Sequence, residues 1–185
     1  MRGKDNKAAA CPLPLATMNP VIIFGEPVPT GTYILRIWVD TDLRVRFGRF
    51  GAVALPRGAY LYVGSAMGQK GASSLARRLL RHATRAAGPP HPIREEMIKW
   101  FTAVNLAQNL QPPAQKRLHW HVDYLLEETT VTLTHVLVIR SSKRLETAVA
   151  RRLNADPRTF TPAPGLGATD DAGSTHLLGL SQFIG

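Results

Sequence analysis

The sequence is poor in cysteine, in acidic residues and in long apolar runs. Cys11 is the single cysteine among 185 residues, so no disulfide can form within the chain. This scarcity favours a reducing compartment, and we expect the protein in the cytoplasm. No apolar stretch approaches the ~20 residues that a membrane-spanning helix needs. Pro12 and Pro14 interrupt the short apolar stretch near the N terminus, which therefore does not resemble a signal peptide.

Acidic residues are scarce relative to basic ones. The chain has 23 Lys and Arg against 13 Asp and Glu, a formal net charge of +10. From Lys70 to Arg117 there are 9 basic and 2 acidic residues, so much of the surplus is concentrated there. A surplus of this size indicates a polyanion such as nucleic acid as a partner. A solvated helix face is the alternative interpretation, because charge alone does not identify a partner.

The composition is otherwise that of a folded domain. Hydrophobic residues make up 44% and charged residues 19%, which excludes a fully disordered or collagen-like chain. The length fits one domain. Residues 1–30 contain five prolines and little periodicity, and we expect a loosely ordered arm there. The domain proper is predicted over residues 31–185.

Hydrophobic periodicity predicts an α/β fold. Alternation with period two indicates strands over residues 31–40, 43–47, 52–56, 57–66 and 131–139. Period 3.6 indicates helices over residues 73–85, 95–106, 118–128 and 141–155. The glycine-rich tail over residues 165–180 is predicted to be mostly loop, ending in a short apolar segment. We expect a small, mainly antiparallel central sheet with helices packed on it.

The predicted helix over residues 73–85 has two faces. Its leucines and alanines fall on one arc at ~100° per residue. The opposite arc carries Arg77, Arg78, Arg81, His82 and Arg85. Arg78 and His82 lie where the arcs meet, so their tips are expected to reach a cleft. Like charges four residues apart repel each other and weaken a helix. Bound phosphates would relieve this repulsion, so the pattern favours nucleic acid binding by Arg77, Arg81, Arg85 and the nearby Lys70.

Glu146 stands out in the last predicted helix. It falls at the edge of the apolar face, ~100° from Leu145 and beside Leu153. A carboxylate at the rim of a core needs a cation. The alternative interpretation is an acid near the start of a helix, favoured by the helix dipole.

Other polar residues are weaker candidates for a metal site or for the lining of a cleft. His119, His121 and Asp123 form an H-x-H-x-D pattern, in which the first and last residues share a helix face and have a spacing that can bind metal. Hydrogen-bonded helix residues are the favoured interpretation, because His121 points elsewhere. Asp170 and His176 in the glycine-rich tail are candidates for lining a cleft.

Several short motifs, in this order, resemble one known superfamily. They are GTY (31–33), AYLYVGSA (59–66), RRLLRH (77–82), KRLHWHVDYLLEE (116–128), LETA (145–148) and GLGATDDAGSTHL (165–177). Together they resemble the GIY-YIG nuclease superfamily. In detail they are similar to an uncharacterised branch that occurs alone and also fused to endonuclease III-type DNA glycosylases. The resemblance covers residues 31–178.

The resemblance implies a GIY-YIG nuclease-like fold and a metal-dependent endonuclease of DNA repair or processing, acting on DNA more than on RNA. It implies that Tyr33 is a general base, that Tyr62 positions it, and that Arg78 faces the scissile phosphate. Glu146 would hold Mg²⁺ or Mn²⁺. His82 follows the arginine where the superfamily pattern has a histidine, and joins the catalytic set. The fusions suggest a DNA repair enzyme as a partner.

The chemistry of a phosphodiester agrees with these residue types. The diester is anionic and repels hydroxide, so its charge must be neutralised first. Mg²⁺ takes carboxylate oxygen and keeps several waters, and it stabilises the developing charge and the leaving oxygen. Arg78 adds a cation capable of bidentate contact. Tyr33, with an ordinary pKa of ~10, needs a nearby cation to act as a base.

The sequence departs from the superfamily pattern in three places. The two motif tyrosines are 29 positions apart, which is long for the superfamily, and an extra hairpin over residues 43–55 would absorb the difference. A longer loop before the first helix leaves open whether Arg77 or Arg78 is the catalytic arginine. Asp171 and Gly173 stand where the branch often has cysteines, so a thiolate metal site is not expected.

Two other functions are compatible with the same sequence. A nucleic acid-binding module without catalysis would use Arg77, Arg81, Arg85 and exposed aromatic residues, and its affinity would fall with salt. An accessory protein of a DNA repair enzyme is suggested by the fusions alone. The motif tyrosines, together with Tyr60, would then be plain half-buried strand residues.

Overall fold

A computed structural model describes residues 19–168 and 175–181 of the chain. The strands within these ranges are Val21–Gly25 (β1), Gly31–Val39 (β2), Leu43–Arg46 (β3), Ala52–Leu55 (β4), Gly58–Ala66 (β5), Val131–Arg140 (β6), Thr159–Phe160 (β7) and Leu177–Leu180 (β8). The helices are Leu75–His82 (α1), Arg94–Ala103 (α2), His121–Glu127 (α3) and Glu146–Asn154 (α4). No helix in the described ranges combines the length and apolar character needed to cross a bilayer.

The strands form one large sheet and one hairpin. The six-stranded sheet has the order β1-β6-β2-β5-β8-β7, and β3 pairs with β4 separately. β1 runs parallel to β6, and the other neighbours are antiparallel. This confirms the predicted α/β class, the mainly antiparallel sheet and the additional hairpin.

β2 lies between β5 and β6 because its side chains alternate as a central strand requires. Tyr33, Leu35, Ile37 and Val39 are buried on one face, while the residues between them are half-buried from Ile34 onward. The helices pack on this sheet: α1 and α4 contact β5, α3 contacts β6, and α2 contacts β1. The predicted face of α1 is buried, and its leucines belong to the main core.

The expectation of a loosely ordered arm over residues 1–30 is wrong for Val21–Gly25. This segment is an edge strand, with Val21 opposite Val136 and Gly25 opposite Arg140 of β6. Pro20 and Pro27 lie just outside it, where a missing amide hydrogen breaks no ladder bond. The proline content of this region therefore led to the wrong expectation for a short strand. Because this strand pairs with β6, the domain begins before residue 31. Residues 1–18 lie outside the described ranges.

The end of the predicted tail, Leu177–Leu180, is a strand. β8 pairs with β5, placing Leu177 opposite Tyr62, and its leucines are largely buried. The short strand Thr159–Phe160, which the periodicity did not predict, completes the sheet edge. Asp170, Asp171 and Gly173 lie outside the described residues.

Gly64 is the residue of β5 that makes room for a tyrosine of β2. It is directly opposite Tyr33 in the register of the two strands. A Cβ atom built on Gly64 would lie 2.5 Å from both Cζ and the hydroxyl oxygen of Tyr33. The glycine of the YVG motif is therefore required by the close approach of a ring and not by a turn.

We expect Gly64→Ala to lower the free energy of unfolding by about 1–3 kcal/mol, because the buried Tyr33 ring cannot move aside without strain. Urea denaturation measures this. The control is the same substitution in a Tyr33→Ala background, where the obstructing ring is absent and the cost should shrink. An equal cost in both backgrounds would show that the ring is not the reason for glycine.

Candidate functional site

A cleft of about 250 Å³ lies between β2, β5, α1 and the start of α4. Its walls are Tyr33, Tyr62, Gly64, Ser65, Met67, Gly68, Ser73, Arg78, Trp120, Arg144, Glu146 and Gly167. Four of the five catalytic residues predicted from the sequence, which come from four separate segments, therefore meet at one cavity. The fifth, His82, lies behind the tyrosines and is fully buried.

Hydrogen bonds from the start of β2 place Glu146 at this cleft. The Thr30 hydroxyl donates to the Ser141 carbonyl at 2.8 Å, and the Ser141 amide donates back to the Thr30 carbonyl at 3.0 Å. The buried Thr32 hydroxyl accepts the Leu145 amide at 3.0 Å. These bonds tie the segment between β6 and α4 to the GTY motif. Glu146, the first residue of α4, is thereby brought to the cleft.

Glu146 is held by two neighbours. The Ser65 hydroxyl donates to Oε2, and Nδ1 of His176 lies 3.1 Å from Oε1. Burial alone would raise the pKa of Glu146, but the hydrogen bonds from His176 and Ser65 hold that pKa below its usual range. The carboxylate is therefore ionised at neutral pH. His176, a candidate cleft residue from its place in the glycine-rich tail, lies behind Glu146 with a side chain that is 6% exposed.

The geometry distinguishes Arg78 from Arg77. Arg78 donates to the Ser65 carbonyl at 2.9 Å, and its guanidinium carbon lies 4.7 Å from the centre of the Trp120 ring. This cation–π contact holds the guanidinium against one wall of the cleft. Arg77 is exposed and lines a different depression, next to Pro112. Trp120 is itself part of the cleft wall.

The two motif tyrosines form an aromatic cluster with His82. The ring centres of Tyr33 and Tyr62 are 6.4 Å apart, and those of Tyr33 and His82 are 5.6 Å apart. Burial raises the pKa of Tyr33 well above its ordinary value and also raises that of Tyr62. Both phenols are therefore neutral in the protein alone. Tyr60 is a structural tyrosine, since its hydroxyl donates to the Pro56 carbonyl at 2.7 Å.

His82 connects the cleft to a buried carboxylate. The Tyr33 hydroxyl lies 2.9 Å from Nε2 of His82, and Nδ1 lies 3.3 Å from Oδ1 of Asp123. Burial lowers the pKa of His82, although Asp123 opposes this effect, so the imidazole is neutral at neutral pH.

Asp123 is surrounded by donors. Arg81 contacts Oδ2 at 2.5 Å, the amides of His119 and Trp120 donate to the same oxygen at 3.0 Å each, and Lys116 lies 3.8 Å from Oδ1. Burial would raise the pKa of Asp123. The contact with His82 and the charge of Lys116 outweigh it and lower that pKa far below its usual range. Asp123 is thus a buried, ionised carboxylate.

The H-x-H-x-D pattern is not a metal site in this structure. The acid bonds to backbone amides, as the structural interpretation predicted. His121 accepts the Gly167 amide at 3.1 Å, and His119 packs edge-on against Trp120. Within residues 19–168 and 175–181, no group of three His, Cys, Asp or Glu side chains is arranged to hold a metal ion.

Two residues of the predicted nucleic acid-binding arc have other partners. Arg81 bonds to Asp123 and to the Arg117 carbonyl, both at 2.5 Å. Arg85 donates to several carbonyls between α3 and β6, the shortest bond being 2.6 Å to Val131. These guanidinium groups connect α1 and the residues just after it to α3, to β6 and to the linker before α3. The helical periodicity of residues 73–85 could not predict these contacts, because the partners are distant in sequence. Arg77 and Lys70 are exposed.

One comparison with known proteins gives a match. A family model described as a domain of unknown function, DUF123, matches residues 32–183. No curated protein and no solved structure matches the chain.

We expect Asp123→Asn to lower the free energy of unfolding at pH 7 by about 3–5 kcal/mol, because Arg81 and Lys116 lose a buried counterion. The folded-state pKa of Asp123 lies below the ~3.9 of an unfolded chain. Its stabilising effect is therefore complete above about pH 5 and is lost as the pH falls below about 4. The gap between wild type and variant should narrow accordingly.

Urea denaturation at a series of pH values between 7 and 2 measures this gap. Glu95→Gln is the control, since Glu95 pairs with Arg94 on the surface and should matter little. A gap for Asp123→Asn that stays constant with pH would contradict the lowered pKa.

Proposed function

On the premise that the chain belongs to the DUF123 family, whose function is unknown, we propose that its cleft hydrolyses phosphodiester bonds of nucleic acid with the help of a divalent metal ion. One observation carries the proposal: Tyr33, Tyr62, Arg78 and Glu146, the set implied by the GIY-YIG resemblance, line a single cavity. The phenol of Tyr33 can accept a proton from water, the guanidinium supplies positive charge for the phosphate, and the carboxylate can hold a cation.

The residues of the cleft fit a hard cation. Glu146 is the one acidic residue among the described residues of its wall, and its lowered pKa keeps it ionised. Mg²⁺ and Mn²⁺ are commonly held by one or two carboxylates, with waters and substrate oxygens as the other ligands. Glu146 would hold the ion. When bound, the ion would supply positive charge against the developing charge on phosphorus and on the leaving oxygen.

Arg78 is suited to bind the phosphate. A guanidinium has five N–H donors, and Arg78 uses one of them on the Ser65 carbonyl. That bond and the Trp120 ring restrict its rotation, so little side-chain entropy remains to be lost when phosphate oxygens bind. Arg144 adds a second cationic side chain to the wall.

Tyr33 is suited to remove a proton from the attacking water. Its pKa in the protein alone is too high for a base, but its hydroxyl contacts the neutral His82 at 2.9 Å. As Tyr33 takes the proton of the water, it passes its own proton to Nε2 of His82. The water oxygen forms a bond to phosphorus, the bond to the leaving oxygen breaks, and that oxygen takes a proton from solvent.

The non-catalytic alternative has less support. It relied on Arg77, Arg81 and Arg85, and two of these are engaged with Asp123 and with backbone carbonyls. DNA as the preferred substrate, a DNA repair enzyme as a partner and the cytoplasm as the compartment remain parts of the proposal, supported by the resemblance and by the single cysteine.

We expect Mg²⁺- or Mn²⁺-dependent cleavage of single- or double-stranded nucleic acid, with activity falling ~10²–10⁴-fold in Tyr33→Phe because the general base is lost. Arg78→Ala and Glu146→Gln should be similarly impaired. Gel analysis of end-labelled DNA and RNA measures the products.

Arg77→Ala is the matched control, because it removes a neighbouring arginine of the same helix that lies outside the cleft. It should retain the chemical rate and weaken binding at most. Cleavage that persists in all three cleft variants would rule out this site.

A further inference from the structure

We propose that Asp123 is a positioning residue that completes a proton relay with His82 and Tyr33. Its carboxylate selects the imidazole tautomer that can accept the proton of Tyr33. The role of the relay in hydrolysis rests on the proposed function, but the relay itself is a property of the folded chain. No motif of the sequence analysis assigned Asp123 to this role.

The three side chains form a continuous line from the cleft into the core. Tyr33 comes from β2, His82 from the end of α1, and Asp123 from the first turn of α3. The contacts are 2.9 Å from the phenol oxygen to Nε2 and 3.3 Å from Nδ1 to Oδ1. The exposed fraction is 1% for Tyr33 and 0% for the other two. Water therefore does not compete for these contacts.

The charge of Asp123 determines where the hydrogen atoms lie. An ionised carboxylate can only accept a hydrogen bond, so the neutral imidazole must present its N–H at Nδ1. Nε2 then carries the lone pair, and the Tyr33 hydroxyl must donate to it. The opposite tautomer would set the Nδ1 lone pair against the carboxylate and would leave Tyr33 without an acceptor.

The surroundings of Asp123 hold it in this state. Arg81 and two backbone amides occupy Oδ2, which leaves Oδ1 to face Nδ1 of His82. Lys116 adds positive charge near Oδ1, and it is itself neutralised by Glu127 at 2.8 Å. Because these cations lower the basicity of the carboxylate, the proton stops on His82, and Asp123 stabilises the imidazolium that forms.

The relay also explains why so many charged groups lie beneath an aromatic cluster. Removing a charged group from water has a desolvation penalty that only a paired charge offsets. Apolar side chains could hold two helices together without the penalty that Arg81, Lys116 and Glu127 carry. Around Asp123 these charged groups maintain one ionised oxygen in contact with the imidazole. The phenol at the other end of the imidazole lines the cleft.

The test is the tautomer of His82, read from long-range ¹H–¹⁵N correlation spectra of the ¹⁵N-labelled full chain at pH 7. The His82 signals are identified by their loss in His82→Gln. We expect a neutral ring protonated at Nδ1, with Nε2 shifted by an accepted hydrogen bond. Tyr33→Phe keeps the ring and removes the donor, so the Nε2 signal should move toward that of a free acceptor.

Asp123→Asn should shift the population toward the tautomer protonated at Nε2 and lower kcat ~10²–10⁴-fold, with a smaller change in KM. Glu95→Gln is the control, since it removes a surface carboxylate that pairs with Arg94 and lies outside the network around Asp123. It should leave the tautomer and kcat unchanged. If Asp123→Asn does not fold, the wild-type and Tyr33→Phe spectra still decide the tautomer and the phenol contact.

A wild-type His82 protonated at Nε2, or charged at pH 7, overturns the relay whether or not the chain cleaves nucleic acid. An Asp123→Asn variant with unchanged tautomer and kcat overturns it as well. The expected tautomer in a chain that cleaves nothing refutes the proposed function and the relay's role in hydrolysis, while the arrangement of the three residues stands. The spectra and the cleavage assay thus separate the two failures.

Discussion

The pairing of β2 along its whole length with β5 and β6 is the constraint on which the site depends. It sets Tyr33 opposite Gly64 on one side and Val138 on the other, and this register fixes the position of the phenol over Gly64. The same strand carries Thr32, which receives the start of α4 through the Leu145 amide. A single strand thus positions both the proposed base and the carboxylate proposed to hold the metal.

Buried charge is the second organising feature. Arg81 and Lys116 lie close to Asp123, and Lys116 also pairs with Glu127, so each of these charged groups has an opposite charge beside it. Removing any one of them would leave a partner uncompensated in a low-dielectric environment, which is why such networks act as a unit. Asp123 of this network contacts His82, and His82 contacts Tyr33 in the wall of the cleft. The buried charges therefore act on a residue of the cleft through one imidazole.

The sequence predicted the central elements well, and the reason is local. β2, β5, β6 and α1 alternate apolar and polar residues with a clear period, and each lies within three residues per end of its predicted range. It missed β1, where Val21–Gly25 is flanked by prolines, and β8, which follows a glycine-rich stretch. Both strands are stabilised by pairing with strands far along the chain, β1 with β6 and β8 with β5. A segment of four or five residues is too short for its own periodicity to predict such pairing.

The candidate site divides along the same line. The residue types and order of the motifs resemble those of the GIY-YIG superfamily, and that resemblance selected Tyr33, Tyr62, Arg78 and Glu146, which line one cleft. Only the tertiary structure decided that Arg78 rather than Arg77 enters the cleft, that Arg81 and Arg85 turn inward, and that Asp123 supports His82. Those outcomes depend on contacts between residues 13 to 46 positions apart. Their free energies are set by burial and by the geometry of the partner and not by a local sequence pattern.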